Sequence, residues 1–295
     1  MRTMWTFVLA LSIFLPAAAR DPLAQRIGHS DPTKYTPLKA VHGGPGELDG
    51  MFILDGHALD TNLQFLHRAI LQPKSGAGEH FHNTAEELFV IFDGEAQFTI
   101  DGRTSVLKGP AGALCRAGHS HAIYNATDKP VQWLNINVSQ VKGSGDAFNL
   151  NDPRVDVQLD AIPQFITMRL DRQLLHAGEG KIQQRRVFDS SVFLTPWSYV
   201  DHVLLPPGTA TAPRPHRELA QVYYVMNGNG KVTVSSMGTA AETASIKPGD
   251  AIPINLGDTS SFENTENQPL EFLVIGISRD MAHKLDAADM LPFSR

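Results

Sequence analysis

One cysteine in 295 residues leaves no partner for an intrachain disulfide. That cysteine, Cys115, ends the apolar strand-like run Ala113-Leu114-Cys115 and reads as a buried thiol without chemistry of its own. Basic clusters are missing too. With a formal charge of −6, this argues against a general nucleic-acid surface. Only one long hydrophobic run occurs, and it lies at the very start of the chain. Nothing later has the length of a membrane span. An amphipathic helical period is absent from Asn62 to Val138. A hydrophobic fraction of 42%, with 24 glycines and 19 prolines, leaves a globular, turn-rich chain long enough for two domains.

Residues 1–19 place Arg2 ahead of the run Trp5 to Leu15 and then Pro16-Ala17-Ala18-Ala19. This is the pattern of a secretory signal peptide cleaved near Ala19. It predicts a secreted or periplasmic protein with no membrane segment after signal removal. Residues 20–50 are polar and rich in proline and glycine, an N-terminal arm able to add an edge strand to a neighbouring sheet. From Asn62, apolar alternation marks strands separated by the hairpin signals Asp93-Gly94 and Asp101-Gly102.

An internal repeat then sets the architecture. At a constant offset of 134, Asp55 recurs as Asp189, Thr61 as Thr195, Phe65 as Tyr199, Pro73 as Pro207, His82 as His216 and Gly94 as Gly228. A period of this length means two copies of one domain. The prediction is an all-β protein of two tandem jelly-roll barrels, at 51–140 and 189–280, joined by a connector at 141–188. Asp280 is placed to cap a short C-terminal helix, Met281 to Met290, within a tail at 281–295.

The chemistry concentrates in Gly78-Glu79-His80-Phe81-His82-Asn83-Thr84-Ala85-Glu86-Glu87. His80 and His82 share one face of an extended strand, because side chains alternate with period two. Glu87 shares a face of the next strand with Phe89 and Ile91, and a third imidazole arrives with His121. Imidazoles plus one carboxylate suit a divalent transition metal: manganese, iron, nickel, copper or zinc. Taken alone, His-x-His is weak evidence in a chain of 12 histidines. Glu86 could replace Glu87 if the turn were one residue shorter, and His119 could replace His121. His67 and Arg68 lie on the preceding strand, with a cavity or a surface position open to either.

The order Gly76, His80, His82, Glu87, Gly94 resembles the first motif of the cupin family, G(x)n-HxH-(x)4-E-(x)6-G, with the leading glycine displaced. Gly118 to Asn125 is similar to the end of the second motif, PxGxxHxxxN, with Arg116 where proline is usual. The resemblance implies that His80, His82, Glu87 and His121 bind one metal. It also implies that the chain is a bicupin. The second copy carries Arg214, His216, Gln221 and Ser260 at the four positions, so its motif is degenerate. A structural role is expected there; an anion site at Arg214 is the sharper alternative.

Four ligands would leave about two of six octahedral positions for a small-molecule substrate. The resemblance therefore implies an exported metal-dependent enzyme acting on a hydroxy-carbonyl, phenol or carboxylic acid. Dioxygenase-type chemistry is expected, with Glu87 as catalytic base. The alternatives are a decarboxylase, lyase or isomerase of organic or sugar acids, and a non-catalytic metal- or sugar-binding cupin. Related bicupins often pair through exchanged N-terminal arms, which makes a homodimer the partner state the resemblance suggests.

Overall fold

A computed structural model describes residues 20–236 and 238–284. The signal-peptide reading at 1–19 and most of the predicted C-terminal helix, from residue 285 on, lie outside these residues. Among the described residues the chain is strand-built, with one four-residue helix, Leu23–Arg26, and a few 3-10 turns. The first barrel pairs a seven-stranded sheet with a five-stranded one, and the second pairs seven strands with four. Strands are antiparallel throughout the named pairings, as a jelly roll requires.

Local chemistry explains the hairpins. At Asp101-Gly102 both residues take positive φ, 48° and 72°, which aspartate tolerates and glycine prefers. The turn joins Glu95–Ile100 to Arg103–Lys108, and Thr99 and Thr104 bond each other across it at 2.8 Å.

The strand Ala85–Ile91 is buried on both faces, and its period of two sorts residues between two cores. Phe89 and Ile91 enter the first barrel with Trp133, Ala69 and Phe98. Leu88 and Val90 face outward and meet Val200, Val222, Leu273 and Ile275 of the second barrel. The two seven-stranded sheets thus pack against each other through an apolar seam. Glu86 lies on this outer face as well. Its carboxylate accepts from the Leu194 and Thr195 amides at 2.8 and 2.9 Å and from the Thr195 hydroxyl at 2.6 Å.

The arm crosses onto the second barrel of its own chain. Gly28–His29 pairs with the edge of Asp250–Ile254, while Leu23 and Ile27 sink into that barrel's core beside Tyr199 and Phe262. Arg20 fastens the start of the arm to Asp60 and to the fully buried Asp258. Several strands reach beyond the barrel spans expected from sequence: the arm's Thr36–Lys39 and the connector's Phe148–Asp152 and Thr167–Arg169 join the first barrel's sheets. Glu47–Asp55 pairs with Leu63–Leu71 ahead of residue 51, and Gln183–Phe188 pairs with Trp197–Leu205 ahead of residue 189. Each lies one place in from its sheet's edge and alternates weakly in sequence, so its position comes from pairing with its neighbours.

Candidate metal centre

Sheet register brings the histidines together. His121 lies directly opposite His80 on the neighbouring strand, and His82 follows two residues on, so the three rings share the inner face. Glu87 comes from the facing sheet. The His121 Nε2 atom is 3.0 Å from Nε2 of His80 and 3.2 Å from Nε2 of His82. Glu87 Oε2 stands 3.2 Å from His121 Nε2 and 3.7 and 3.9 Å from those of His82 and His80. All four residues are buried, and their donor atoms lie within 4.8 Å of one another.

The donor set fits a divalent cation. His80 Nδ1 donates to the Gly78 carbonyl at 2.9 Å, and His82 Nδ1 donates to the Asp146 carbonyl. In its neutral form each ring therefore turns a bare Nε2 lone pair inward. A single Nε2 proton on His121 can satisfy only one of them. Donors about 2.1 Å from a metal sit about 3.0 Å apart when adjacent in an octahedron, close to the separations here. The group suits one divalent metal.

Electrostatics favour the ligand protonation states of Glu87 and His121. At His82 burial lowers the pKa, but the Glu87 carboxylate and the contacts with Asp146 outweigh it and raise it, so a metal displaces a proton there. Burial pushes the Glu87 carboxyl up. The positive field of His82 and hydrogen bonds from His121, His80 and His82 outweigh it and hold the group well below the usual carboxylate range. Burial, followed by the neighbouring His80, drives His121 well below an ordinary imidazole.

Several residues at the site carry no sequence motif. Asn137 Nδ2 donates to Glu87 Oε1 at 2.7 Å and fixes the carboxylate so that Oε2 faces the imidazoles. His42, from the arm, stacks on His80 with ring centroids 3.7 Å apart and bonds Asn149 at 2.7 Å. Only glycine at 78 permits this approach, since a Cβ there would meet the His42 carbonyl at 2.4 Å. Asp146 of the connector caps the Asn83 and Thr84 amides. The one legible signal was the period of two from Trp133, which puts Asn135 and Asn137 on its inner face.

His80, His82 and Glu87 line the floor of a cavity of about 530 Å³, within the usual range for a small-ligand site. Its walls are apolar and aromatic, among them Phe52, Phe65, Phe89, Trp133 and Leu48, and no lysine or arginine lines it. His67 lines this cavity, whereas Arg68 on the same strand points the opposite way, into the seam between the barrels. Of the weaker candidates, Glu86 is committed to the seam. His119 lies half-exposed and pairs with Asp101 at 2.6 Å. Cys115 is buried, and its thiol is pushed well up by burial and by the surrounding carboxylates, so it stays protonated and unreactive.

The duplicated site keeps one of the four motif ligands, His216, and is rebuilt around it. Register places Gly276 opposite Gln221 as Asn137 stands opposite Glu87. A Cβ at 276 would meet the Tyr199 ring at 2.5 Å, so glycine makes room for that ring. Gln221 then takes hydrogen bonds with the Tyr199 and Tyr223 hydroxyls, and His216 bonds Ser260 at 2.9 Å. Arg186 grips Asp201 at 2.7 Å beside them.

The cupin domain family matches this chain twice, over residues 67–137 and 201–276. The chain is a bicupin. It is similar, at 25% identity over 101 residues, to an oxalate-binding protein of Thermotoga maritima, a match covering 34% of the bicupin and 79% of that relative. Among solved structures it resembles the Lactobacillus farciminis oxalate decarboxylase formate complex, with a TM-score of 0.63 at 16% identity. That likeness covers 85% of this bicupin and 88% of the other chain. Bacillus subtilis oxalate decarboxylase at pH 4.6 gives a TM-score of 0.61 at 17% identity, over 86% and 76% of the two chains. At such identities the structural likeness speaks for the fold.

Two buried histidines should make the bicupin acid-sensitive. Burial depresses His67 to about 4, and burial together with Arg214 depresses His216 to about 4. An unfolded histidine titrates near 6.5, so between about 6.5 and 4 the unfolded chain binds protons the native chain refuses. Stability is therefore present above about pH 6.5 and is lost as pH falls toward 4. Each group contributes a slope of at most about 1.4 kcal/mol per pH unit. Denaturant unfolding of the metal-free protein at pH 7 and pH 4.5 should show this loss, smaller when His67 and His216 are both replaced by phenylalanine. An unchanged slope in that variant overturns the assignment.

Proposed function

We propose that the first barrel is a metal-dependent enzyme whose substrate is a small oxygenated molecule with a flat, apolar body, converted by dioxygenase-type chemistry. One observation carries the reading: a cluster of three imidazoles and a carboxylate presents His80, His82 and Glu87 to a cavity walled by aromatic side chains and lacking any lysine or arginine. Such walls reward burial of an apolar ring and give no counter-ion to a multiply charged acid beyond the metal itself.

The roles follow from the geometry. His80, His82 and His121 would hold the metal through Nε2, and Glu87 through Oε2. A bound divalent metal would supply Lewis acidity, lowering the pKa of a substrate hydroxyl. Glu87, ionised and fixed through Oε1 by Asn137, would take that proton at Oε2 once that oxygen leaves the metal. Phe52, Phe65 and Trp133 orient the ring and exclude water from the reacting end.

Decarboxylation of a small carboxylic acid is the second reading, favoured by the likeness to an oxalate-binding protein and to oxalate decarboxylases. Metal-loaded protein assayed with flavonols, catechols, oxalate and uronic acids, with oxygen uptake and carbon dioxide recorded together, separates the two. Oxygen consumption with a phenolic substrate is expected. Carbon dioxide from oxalate without oxygen uptake would replace the first reading by the second. Metal-dependent binding without turnover would leave a binding protein.

The bicupin is also proposed to be exported, on the sequence of residues 1–19 alone. N-terminal sequencing of protein recovered outside the cytoplasm should then begin at Arg20. Recovery of an uncleaved chain from the cytoplasm alone would refute export.

A further inference from the structure

Between the two barrels lies a second cavity, of about 380 Å³, separate from the metal centre. The first barrel contributes Arg68, Phe92 and Gln132 to its lining, and the second contributes Tyr224, Met226 and Glu271. The arm adds Ser30, Pro32 and Tyr35, so no single barrel could form it. Phe92 and Tyr224 stack across the seam with centroids 5.5 Å apart, and the Arg68 guanidinium sits over Phe92 at 5.0 Å.

Arg68 is 8% exposed, and its hydrogen-bond partners are neutral. Nε donates to the Tyr224 hydroxyl at 3.0 Å, and Nη1 to the carbonyls of Ala69 and Trp133 at 2.9 and 2.6 Å. Nη2 donates to the Gln132 amide oxygen at 2.6 Å. None of the ion pairs among the described residues involves Arg68. Four of its five N–H groups are used, and Nη2 keeps one. The nearby Glu271 carboxylate is already committed to Arg172 and to His202, the latter at 2.6 Å. A buried cation lacking an anion is costly unless a ligand supplies one. The duplicated position shows the contrast: His202 stands where the repeat places Arg68, and it does have a carboxylate partner.

We propose that the inter-barrel cavity is a second ligand site, for a small organic carboxylate with an apolar or aromatic body. The carboxylate meets the Arg68 guanidinium, and the body lies among Phe92, Tyr224, Met226 and Pro32. Recognition there uses charge and flat apolar contact without a metal.

Sodium benzoate, an aromatic monocarboxylate, is a suitable probe, with benzamide as its uncharged counterpart. Calorimetric titration would use the whole protein and its His80→Ala/His82→Ala variant, which removes benzoate binding at the metal. Benzoate should bind the double-alanine variant with one-to-one stoichiometry, and benzamide at least about tenfold more weakly. Met226→Trp fills the cavity while leaving Arg68 in place, and should weaken benzoate at least about tenfold. Arg68→Gln should do the same where the variant folds, and Met226→Trp decides where it does not. Benzoate binding that survives Met226→Trp unchanged, benzamide binding as tight as benzoate, or no saturable binding in the double-alanine variant would each overturn the proposal.

Discussion

Replacing His80 and His82 together by alanine should leave a folded bicupin that binds no transition metal, where the unsubstituted chain binds about one ion. Both side chains come from one strand and supply two of the three imidazoles, and the remaining pair, His121 and Glu87, cannot close a coordination shell. Affinity should fall by several orders of magnitude. Elemental analysis, with circular dichroism as the folding control, measures this. Stoichiometric metal in the folded double variant would refute the ligand assignment. Two controls sharpen it. Glu86→Gln acts on the seam with Leu194 and Thr195, and His119→Ala acts on a half-exposed pair with Asp101, so both should keep the metal. The second barrel offers no compensation. Arg214 supplies a positive charge, and Gln221 is held between two tyrosine hydroxyls. An anomalous-scattering peak near His216 and Ser260 would contradict this.

Glu87→Gln should separate holding the metal from chemistry. The substitution keeps size and the contact with Asn137 but removes the charge and the basic oxygen. Metal occupancy at saturating metal should survive, because three imidazoles remain, while turnover falls about 10²- to 10⁴-fold, the scale of a lost general base. Measuring metal content and rate on the same sample distinguishes the outcomes. Turnover within a few-fold of the starting protein at full occupancy would leave Glu87 a ligand and nothing more. Loss of metal along with turnover would make the carboxylate's role one of holding the metal.

Much of this molecule was legible in its sequence because its determinants are periodic or local. The offset of 134 announced two copies of one domain. Period-two alternation put His80 with His82 and sorted Glu86 from Glu87, and a six-residue spacing from Glu87 to Gly94 fixed the register. Replacement of three of four motif positions by Arg214, Gln221 and Ser260 announced the altered second site. What remained hidden depends on contacts between residues far apart in the chain. No local pattern marks His42 as the ring stacked on His80, since that requires the arm to cross Gly78. Nor does one show Asn137 holding Glu87, Asp146 anchoring His82 from the connector, or Tyr199 filling the space Gly276 vacates. His67 and Arg68 are adjacent and both polar in sequence. Only the packing of one sheet against a second barrel decided that one lines the metal cavity and the other enters the seam. Sequence periodicity determines which residues share a face; what each face meets is decided by how the sheets, arm and connector pack around it.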